Sequence, residues 1–361
     1  MVRPAPDRRH PPSKGVGSGF TTVRLGRFSL RWRSRTVLLV AILASVAVLL
    51  AAASLAQGTY PLSLDRVVAT LSGEGTRIER YTIVDLRMPR TVTGIVVGFA
   101  LGLSGALTQT VTRNPIASPD ILGVSAGASL GAVAVITFGG PTAAVLGVPG
   151  AALGGALVTA GVIFLLSWKS GSDSLRLILT GIAVNALLVA LTSWLLVSAR
   201  LSRATEATVW LIGSLDRAEW ATLLPVFVGV VVLSALALAS SRVLRLLAFG
   251  GDTASALGVR VGPARSLLLL LSVGLAALGV AIAGPVGFVA FAAPQLALRL
   301  ARTAVPPVLY SGLLGAVLVT GSDLVIRAFS PVALPVGIMT TAIGGPLLIS
   351  LIVRANLRRT A

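Results

Sequence analysis

Arg87-Met88-Pro89-Arg90 sets two guanidinium groups on either side of a proline, with little hydrophobic cover. A guanidinium fork binds a carboxylate through two parallel N–H donors, so such a pair can seat an acidic partner. The same side chains can serve as interfacial anchors, with stems in lipid and charges in water. Spacing alone does not separate these two roles. Asp323 and Arg327 stand four residues apart, which is one helical turn and the separation of a local ion pair. Asp323 is the one acidic residue well inside an apolar run. Proton- or sodium-coupled transport needs several intramembrane carboxylates or broken-helix ion sites. One Asp with an Arg a turn away fits an ion pair better.

Other chemistry is excluded by residue types. There is no Cys, so disulfides, thiolate metal sites and Cys nucleophiles are out. The single His, His10, lies in the N-terminal tail, which leaves no catalytic residue and no metal site to propose. An intramembrane enzyme would need a His, Cys or carboxylate pair. No Walker A loop is possible, because the two lysines, Lys14 and Lys169, do not follow glycine. If ATP drives this protein, another chain binds it. Gly94, Gly98 and Gly102 share one helix face, and so do Gly123, Gly127 and Gly131. Within apolar runs this spacing means close helix–helix contact rather than a nucleotide loop.

The elements that must carry these residues are membrane helices. Of 361 residues, 55% are hydrophobic and only 12% charged. That is half the charge of an ordinary soluble domain, about 25%. Mean hydropathy is +0.92. Apolar runs near 37–57, 91–111, 121–138, 143–166, 176–199, 221–240, 264–283, 287–302, 306–327 and 335–353 predict an all-α integral membrane protein of about ten transmembrane helices. Pro285 and Pro294 interrupt the eighth run. Ser54-Leu55-Ala56 resembles a signal cleavage site, but the run before it has the length of a retained span. Pro89 suits the first turn of the second helix.

Loop charge sets the orientation. With the N-terminus inside, inner segments carry 21 Arg and Lys and outer ones 9, as the positive-inside rule requires. Both termini are then cytoplasmic. Nine of the basic residues precede residue 37. They read as an anchor on anionic lipid, and the +18 net charge does not call for nucleic acid. Residues 1–36 are expected to be a largely disordered basic cytoplasmic tail, 37–356 the ten-helix domain and 357–361 a second cytoplasmic tail. The outer connection 58–90 contains an amphipathic stretch. The inner connection 241–263 has room for two short helices along the membrane face.

Several blocks then resemble one family. They are Arg87-Met88-Pro89-Arg90, Leu103-Ser104-Gly105-Ala106 with Gln109, Arg113-Asn114-Pro115-Ile116-Ala117 and Leu122-Gly123-Val124-Ser125-Ala126-Gly127-Ala128. Trp210-Leu211-Ile212-Gly213-Ser214-Leu215, Gly284-Pro285-Val286-Gly287-Phe288-Val289 with Ala293-Pro294, and Leu334-Pro335-Val336-Gly337-Ile338 with Gly344-Gly345-Pro346 follow in order. Over residues 37–356 the chain resembles the FecCD-type permeases that import iron–siderophore, haem or vitamin B12 with an ABC ATPase, the type II importers.

The resemblance implies ten helices, a dimer of permeases on two ATPase subunits, and a binding protein that delivers substrate from outside. It implies no cofactor in this chain, with ATP and magnesium on the ATPase, and residence in the cell (inner or cytoplasmic) membrane. It assigns Arg87, Arg90 and Arg327 to docking of the binding protein, all three outside in the charge-based topology. It assigns Gly250, Asp252, Ala256, Leu257 and Gly258 to coupling with the ATPase. Ser174 matches one member of the family's inner gate, while Leu175 replaces the second. Asn185 and Thr192 become candidate lining of the translocation pathway. Gln295 stands where the family often has His, a variant associated with one partner of two-permease siderophore systems. Ferric siderophore leads as substrate, with haem or vitamin B12 as alternatives. The rival class is a stand-alone secondary transporter. A structural scaffold would not account for the ordered motifs.

Overall fold

The structure, a computed structural model, describes residues 20–25, 28–58, 60–139, 141–167, 174–330 and 334–360, with side chains described outside 20–35, 141–146, 174–178, 351–352 and 354–360. A short hairpin, β1 (Phe20–Leu25) against β2 (Phe28–Arg33), precedes α1 (Ser34–Ala56). It occupies part of the segment expected to be disordered. The β-branched and aromatic residues Thr21, Thr22, Val23, Phe28 and Trp32 favour paired strands, and they outweigh the Arg-, Pro- and Gly-rich average of the tail. Residues 1–19 lie outside the described residues.

The remaining described residues are helical or connecting. On the outer side of α1 come α2 (Leu64–Leu71) and α3 (Arg77–Arg80). Helical structure then continues through a π turn (Tyr81–Arg87) into α4 (Met88–Thr112). Pro89 is the second residue of α4, in its first turn as expected, although the π turn joins that helix to α3 without a break. Lacking an N–H and crowding the carbonyl four residues back, it accounts for the widened π turn just before it. After a 3₁₀ turn at Pro119–Leu122 come α5 (Val124–Phe138), α6 (Pro141–Ser167) and α7 (Ser174–Ser198). Gly147 breaks α6 with φ 62° and ψ 176°.

The second half contains α8 (Leu201–Ile212), α9 (Trp220–Ala239), α10 (Ser241–Ala248), α11 (Gly251–Ala256), α12 (Val261–Ala283), α13 (Val289–Ala301), α14 (Val308–Phe329) and α15 (Val336–Thr360). Helix α15 extends through 357–360, expected as a tail, because Leu357, Arg358 and Arg359 are good helix formers. Among the described residues, seven helices are long and apolar enough to cross a membrane, and three shorter apolar helices, α5, α13 and the first part of α15, complete the ten expected. Helices α10 and α11 are the two short elements foreseen in 241–263. Helix α8 was not foreseen: it is too short and too charged to register as a span, and it buries only Ala207 and Trp210.

Helix α4 is the axis of the fold. Nearly every side chain from Thr91 to Val111 is buried, and the helix touches α9, α12, α13 and α14. Glycine permits this crowding. A Cβ at Gly98 would overlap the Gly315 carbonyl, one at Gly102 that of Ser311, and one at Gly105 that of Ala290. Gly127 and Gly131 of α5 meet Gly155 and Ala151 of α6 in the same way. The glycine faces are thus close-contact seams, as their spacing predicted. Ser104 and Thr108 of α4 interlock with Ser272 of α12 through buried hydroxyl hydrogen bonds of 2.6–2.9 Å. By contrast α1 and α7 expose most of their apolar surface, including Val48, Leu49, Ile182 and Leu187, as lipid or a partner helix would require.

Candidate functional site

The two ends of α4 carry two different arrangements. At its N-terminal end the outer connection is built as a rigid shoulder. Thr76 and Glu79 form a reciprocal capping box, with Thr76 N donating to Glu79 Oε2 at 2.8 Å and Glu79 N to Thr76 Oγ1 at 3.3 Å. Arg66 of α2 grips the same carboxylate, with Nη2 2.7 Å from Oε1. That hydrogen bond raises the Arg66 guanidinium further above its usual range, and the Ser63 hydroxyl holds the Asp65 carboxyl below its own.

Arg87, Arg90 and Arg327 converge beside this shoulder, together with Asp323 and Asp216. Arg87 is buried. Its Nη1 donates to the carbonyls of Leu55 at 2.7 Å and Ala56 at 3.0 Å, and its Nη2 to that of Tyr60. Gly58 leaves room for the guanidinium, since a Cβ there would strike it. Arg327 Nη1 donates to the carbonyls of Ser54 at 3.1 Å and Gln57 at 3.3 Å, and Nη2 to the Ser54 hydroxyl. Two cations therefore close the carbonyl end of α1, where a helix favours positive charge.

Arg90 is held differently. Its Nε and Nη2 bind Asp323 at 3.1 and 2.7 Å, while Nη1 donates to Asp216. Asp323 is buried and also lies 3.0 Å from Arg327 Nε. The expected Asp323–Arg327 pair exists, but it is half of a bridge between two arginines on different helices. Asp216 is 41% exposed at its side chain, so Arg90 alone of the three has an ion-pair partner open to solvent. The Ser214 hydroxyl donates to Asp216 Oδ2 at 2.8 Å and accepts from Asp216 N at 3.1 Å, while Ser214 N donates to the Ala283 carbonyl at 2.8 Å. This fixes Asp216 over Arg90.

At the other end of α4, Arg113 takes a left-handed conformation, φ 51°, in which Asn114 N reaches Gln109 O and Arg113 N reaches Thr110 O. Gln295 of α13 donates to Gln109 Oε1 at 2.7 Å and to the Pro115 carbonyl at 3.2 Å, and Gln109 Nε2 donates to the Phe291 carbonyl at 3.2 Å. This buried amide ladder ties α4, α13 and the 113–117 turn into one unit. Next to it lie α10 and α11. Gly250 (φ 110°) and Gly258 (φ 84°) bracket α11 in conformations that favour glycine. Asp252, Ala256 and Leu257 are exposed, as are Arg242, Arg245 and Arg260, while Gly250 is buried. Leu257 is 58% and Phe249 73% exposed.

The candidate pathway residues are not brought together. Asn185 lies on the exposed strip of α7, whereas Thr192 is buried and its hydroxyl donates to the Leu188 carbonyl at 2.8 Å. Seven residues is nearly two full turns, so the two share a side of α7, but only Thr192 is covered there. The Ser174 and Leu175 side chains lie outside the described residues. Sequence reasoning missed the Asp216 clasp and the amide ladder. Asp216 immediately follows the Trp210–Leu215 block, and spacing could not link it to Arg90, 126 residues away.

The FecCD transport family model matches residues 43–354. The chain belongs to that family. The ferric enterobactin transport system permease protein FepG of Escherichia coli (strain K12) is 38% identical over 307 residues, 84% of this chain and 92% of its own. The cobalamin import system permease protein BtuC of Halobacterium salinarum is 39% identical over 273 residues, 74% of this chain and 72% of its own. An inward-facing ABC transporter described as of metal-chelate type has a TM-score of 0.78 at 32% identity, covering 87% of this chain and 98% of that one. The protein is thus a multi-pass transport component of the permease kind, and its blocks from Arg87 to Pro346 lie within the matched residues.

Proposed function

We propose that the chain is the permease subunit of an ATP-driven importer of ferric siderophores, working by alternating access in the cell membrane with both termini cytoplasmic. The observation that carries this reading is the family match across 43–354, together with an enterobactin permease among the relatives. Cobalamin is the second substrate, favoured by the halobacterial relative. A second permease chain packs along the exposed face of α7, which puts Asn185 beside the route. Gln295 in place of the family's frequent His suggests that this second chain differs from the first. ATP and magnesium bind a separate ATPase, because no phosphate loop can form around Lys14 or Lys169.

An extracytoplasmic binding protein docks on the α4 N-terminal end and two ATPase subunits on the α10–α11 end. Arg90 is the docking cation best supported, since its outer partner Asp216 is exposed and an incoming carboxylate can replace it. Leu257, exposed beside a left-handed Gly258, is the coupling knob. The test is ⁵⁵Fe uptake by a deletion strain supplied with single ferric siderophores under iron limitation. Arg90→Glu should abolish uptake while the protein still inserts. Leu257→Asp should leave ATP hydrolysis no longer stimulated by loaded binding protein. Undiminished uptake by the Arg90 variant rules out docking there, and growth of the deletion strain on every ferric siderophore tried removes the substrate assignment.

A further inference from the structure

A recess of about 460 Å³ opens between the end of α4 and the α10–α12 segment, lined by Arg113, Arg265, Phe249, Gly250, Gly251 and Asp252 among others. Two guanidinium groups sit against consecutive glycines there. A Cβ at Gly250 would lie 3.5 Å from Arg113 Nη1, and one at Gly251 3.5 Å from Arg265 Nη2. Neither arginine has an ion pair among the described residues, and Asp252 is not within 4.0 Å of either. Arg265 Nε is shielded from solvent and has no hydrogen-bond partner among the described residues. Two neighbouring cations with a shielded, unsatisfied donor are an unfavourable arrangement in an isolated chain.

The backbone gives a second, independent sign. Arg113 occupies the left-handed position at a helix end where glycine is the usual residue, a conformation that costs a side chain-bearing residue about 1 kcal/mol. Glycine would close the same turn without strain, so the guanidinium is there for something beyond the turn. The exposed apolar residues Phe249, in the recess, and Leu257, one short helix away, indicate that a protein surface covers this face.

We propose that the recess between Arg113 and Arg265 is the seat of a carboxylate side chain supplied by the ATPase subunit. The inference rests on the assignment of the α10–α11 end to the ATPase. It adds what that partner must present: an Asp or Glu flanked by apolar surface for Phe249 and Leu257. A carboxylate accepts from the terminal N–H groups of both guanidiniums.

The experiment uses the purified permease–ATPase complex. In a Lys14→Arg, Lys169→Arg background, Arg265→Lys introduces the only lysine amine in the chain, and a carbodiimide joins an amine to a carboxylate in direct contact. A cross-linked peptide joining position 265 to an Asp or Glu of the ATPase is the expected product. In parallel, ATPase affinity is measured for Arg113→Gly with Arg265→Gln. The glycine relieves the left-handed strain, so weakened binding cannot be ascribed to a misfolded turn. The double variant should bind about tenfold more weakly and with less dependence on salt. If the complex assembles, no cross-link forms at 265 and the double variant binds as the parent does, the carboxylate seat is wrong. Should Leu257→Asp still weaken assembly in that case, the ATPase assignment stands without it; if neither change matters, both readings fall.

Discussion

Replacing Asp323 with Asn tests whether the outer arginine cluster is held by one buried carboxylate. The substitution keeps the shape and removes the charge. Asp323 accepts from Arg90 at 2.7 and 3.1 Å, lies 3.0 Å from Arg327 Nε, and has a side chain only 4% exposed. Removing one partner of a buried ion pair leaves an uncompensated charge and costs about 3–5 kcal/mol. Here two cations are left, but each keeps other partners. Arg90 retains Asp216, and Arg327 retains Ser54 and Gln57. Their side chains are also 20% and 14% exposed, so solvent relieves part of the cost. The expected loss is therefore about 2–3 kcal/mol, at or just below the low end of that range. Unfolding in mixed micelles with increasing SDS, followed by tryptophan fluorescence, measures it. The Asp323→Asn, Arg90→Gln double variant should lose less than the sum of the single changes, because the second change removes the stranded charge. A single variant within about 0.5 kcal/mol of the parent, or strictly additive losses, would refute the bridge as the holding element.

Two further outcomes follow from the packing. Gly105→Ala places a Cβ into the Ala290 carbonyl and must push α4 from α13, so folded yield in detergent should collapse; Gly161→Ala, with nothing within 4 Å of its Cβ, should leave yield unchanged. Gln295→Ala strands the Gln109 amide oxygen and the Pro115 carbonyl, costing about 1–3 kcal/mol, and limited proteolysis should then nick the 113–119 turn faster.

What was legible in the sequence was what local pattern encodes. Ten apolar helices, the glycine seams and the two short helices of 241–263 all follow from composition over a few turns. So does the Asp323–Arg327 pair, whose members are one turn apart. The Arg90–Asp323 bond joins residues 233 positions apart, and no spacing rule reaches that far. The acceptors of Arg87 are backbone carbonyls of α1, which carry no residue-type signal at all. The hairpin and α8 were hidden for a related reason: both are short, charged elements beside membrane helices, where hydropathy sees only loop.

Those long-range bonds divide three arginines that the sequence could only treat as a set. Arg87 gives its guanidinium to the end of α1 and is shielded there. Arg327 does the same through the Ser54 and Gln57 carbonyls, while leaning on Asp323. A partner that took either one would first have to unfasten α1, forfeiting two or three charge-assisted bonds for each carboxylate gained. Arg90 faces no such exchange. Its buried side is satisfied by Asp323, and only its Nη1 bond to exposed Asp216 must be traded, one carboxylate for another. Such a trade is close to neutral in energy, which suits a contact that must form and break in every transport cycle. On the proposed docking reading, Asp216 would be a place-holder for the incoming acid. Asp216→Asn should tighten docking where Asp323→Asn loosens the whole cluster, and measuring binding-protein affinity for both variants in one nanodisc preparation separates the place-holder from the brace. Equal weakening by the two would mean that Asp216 is simply another brace and that Arg90 is not open to exchange.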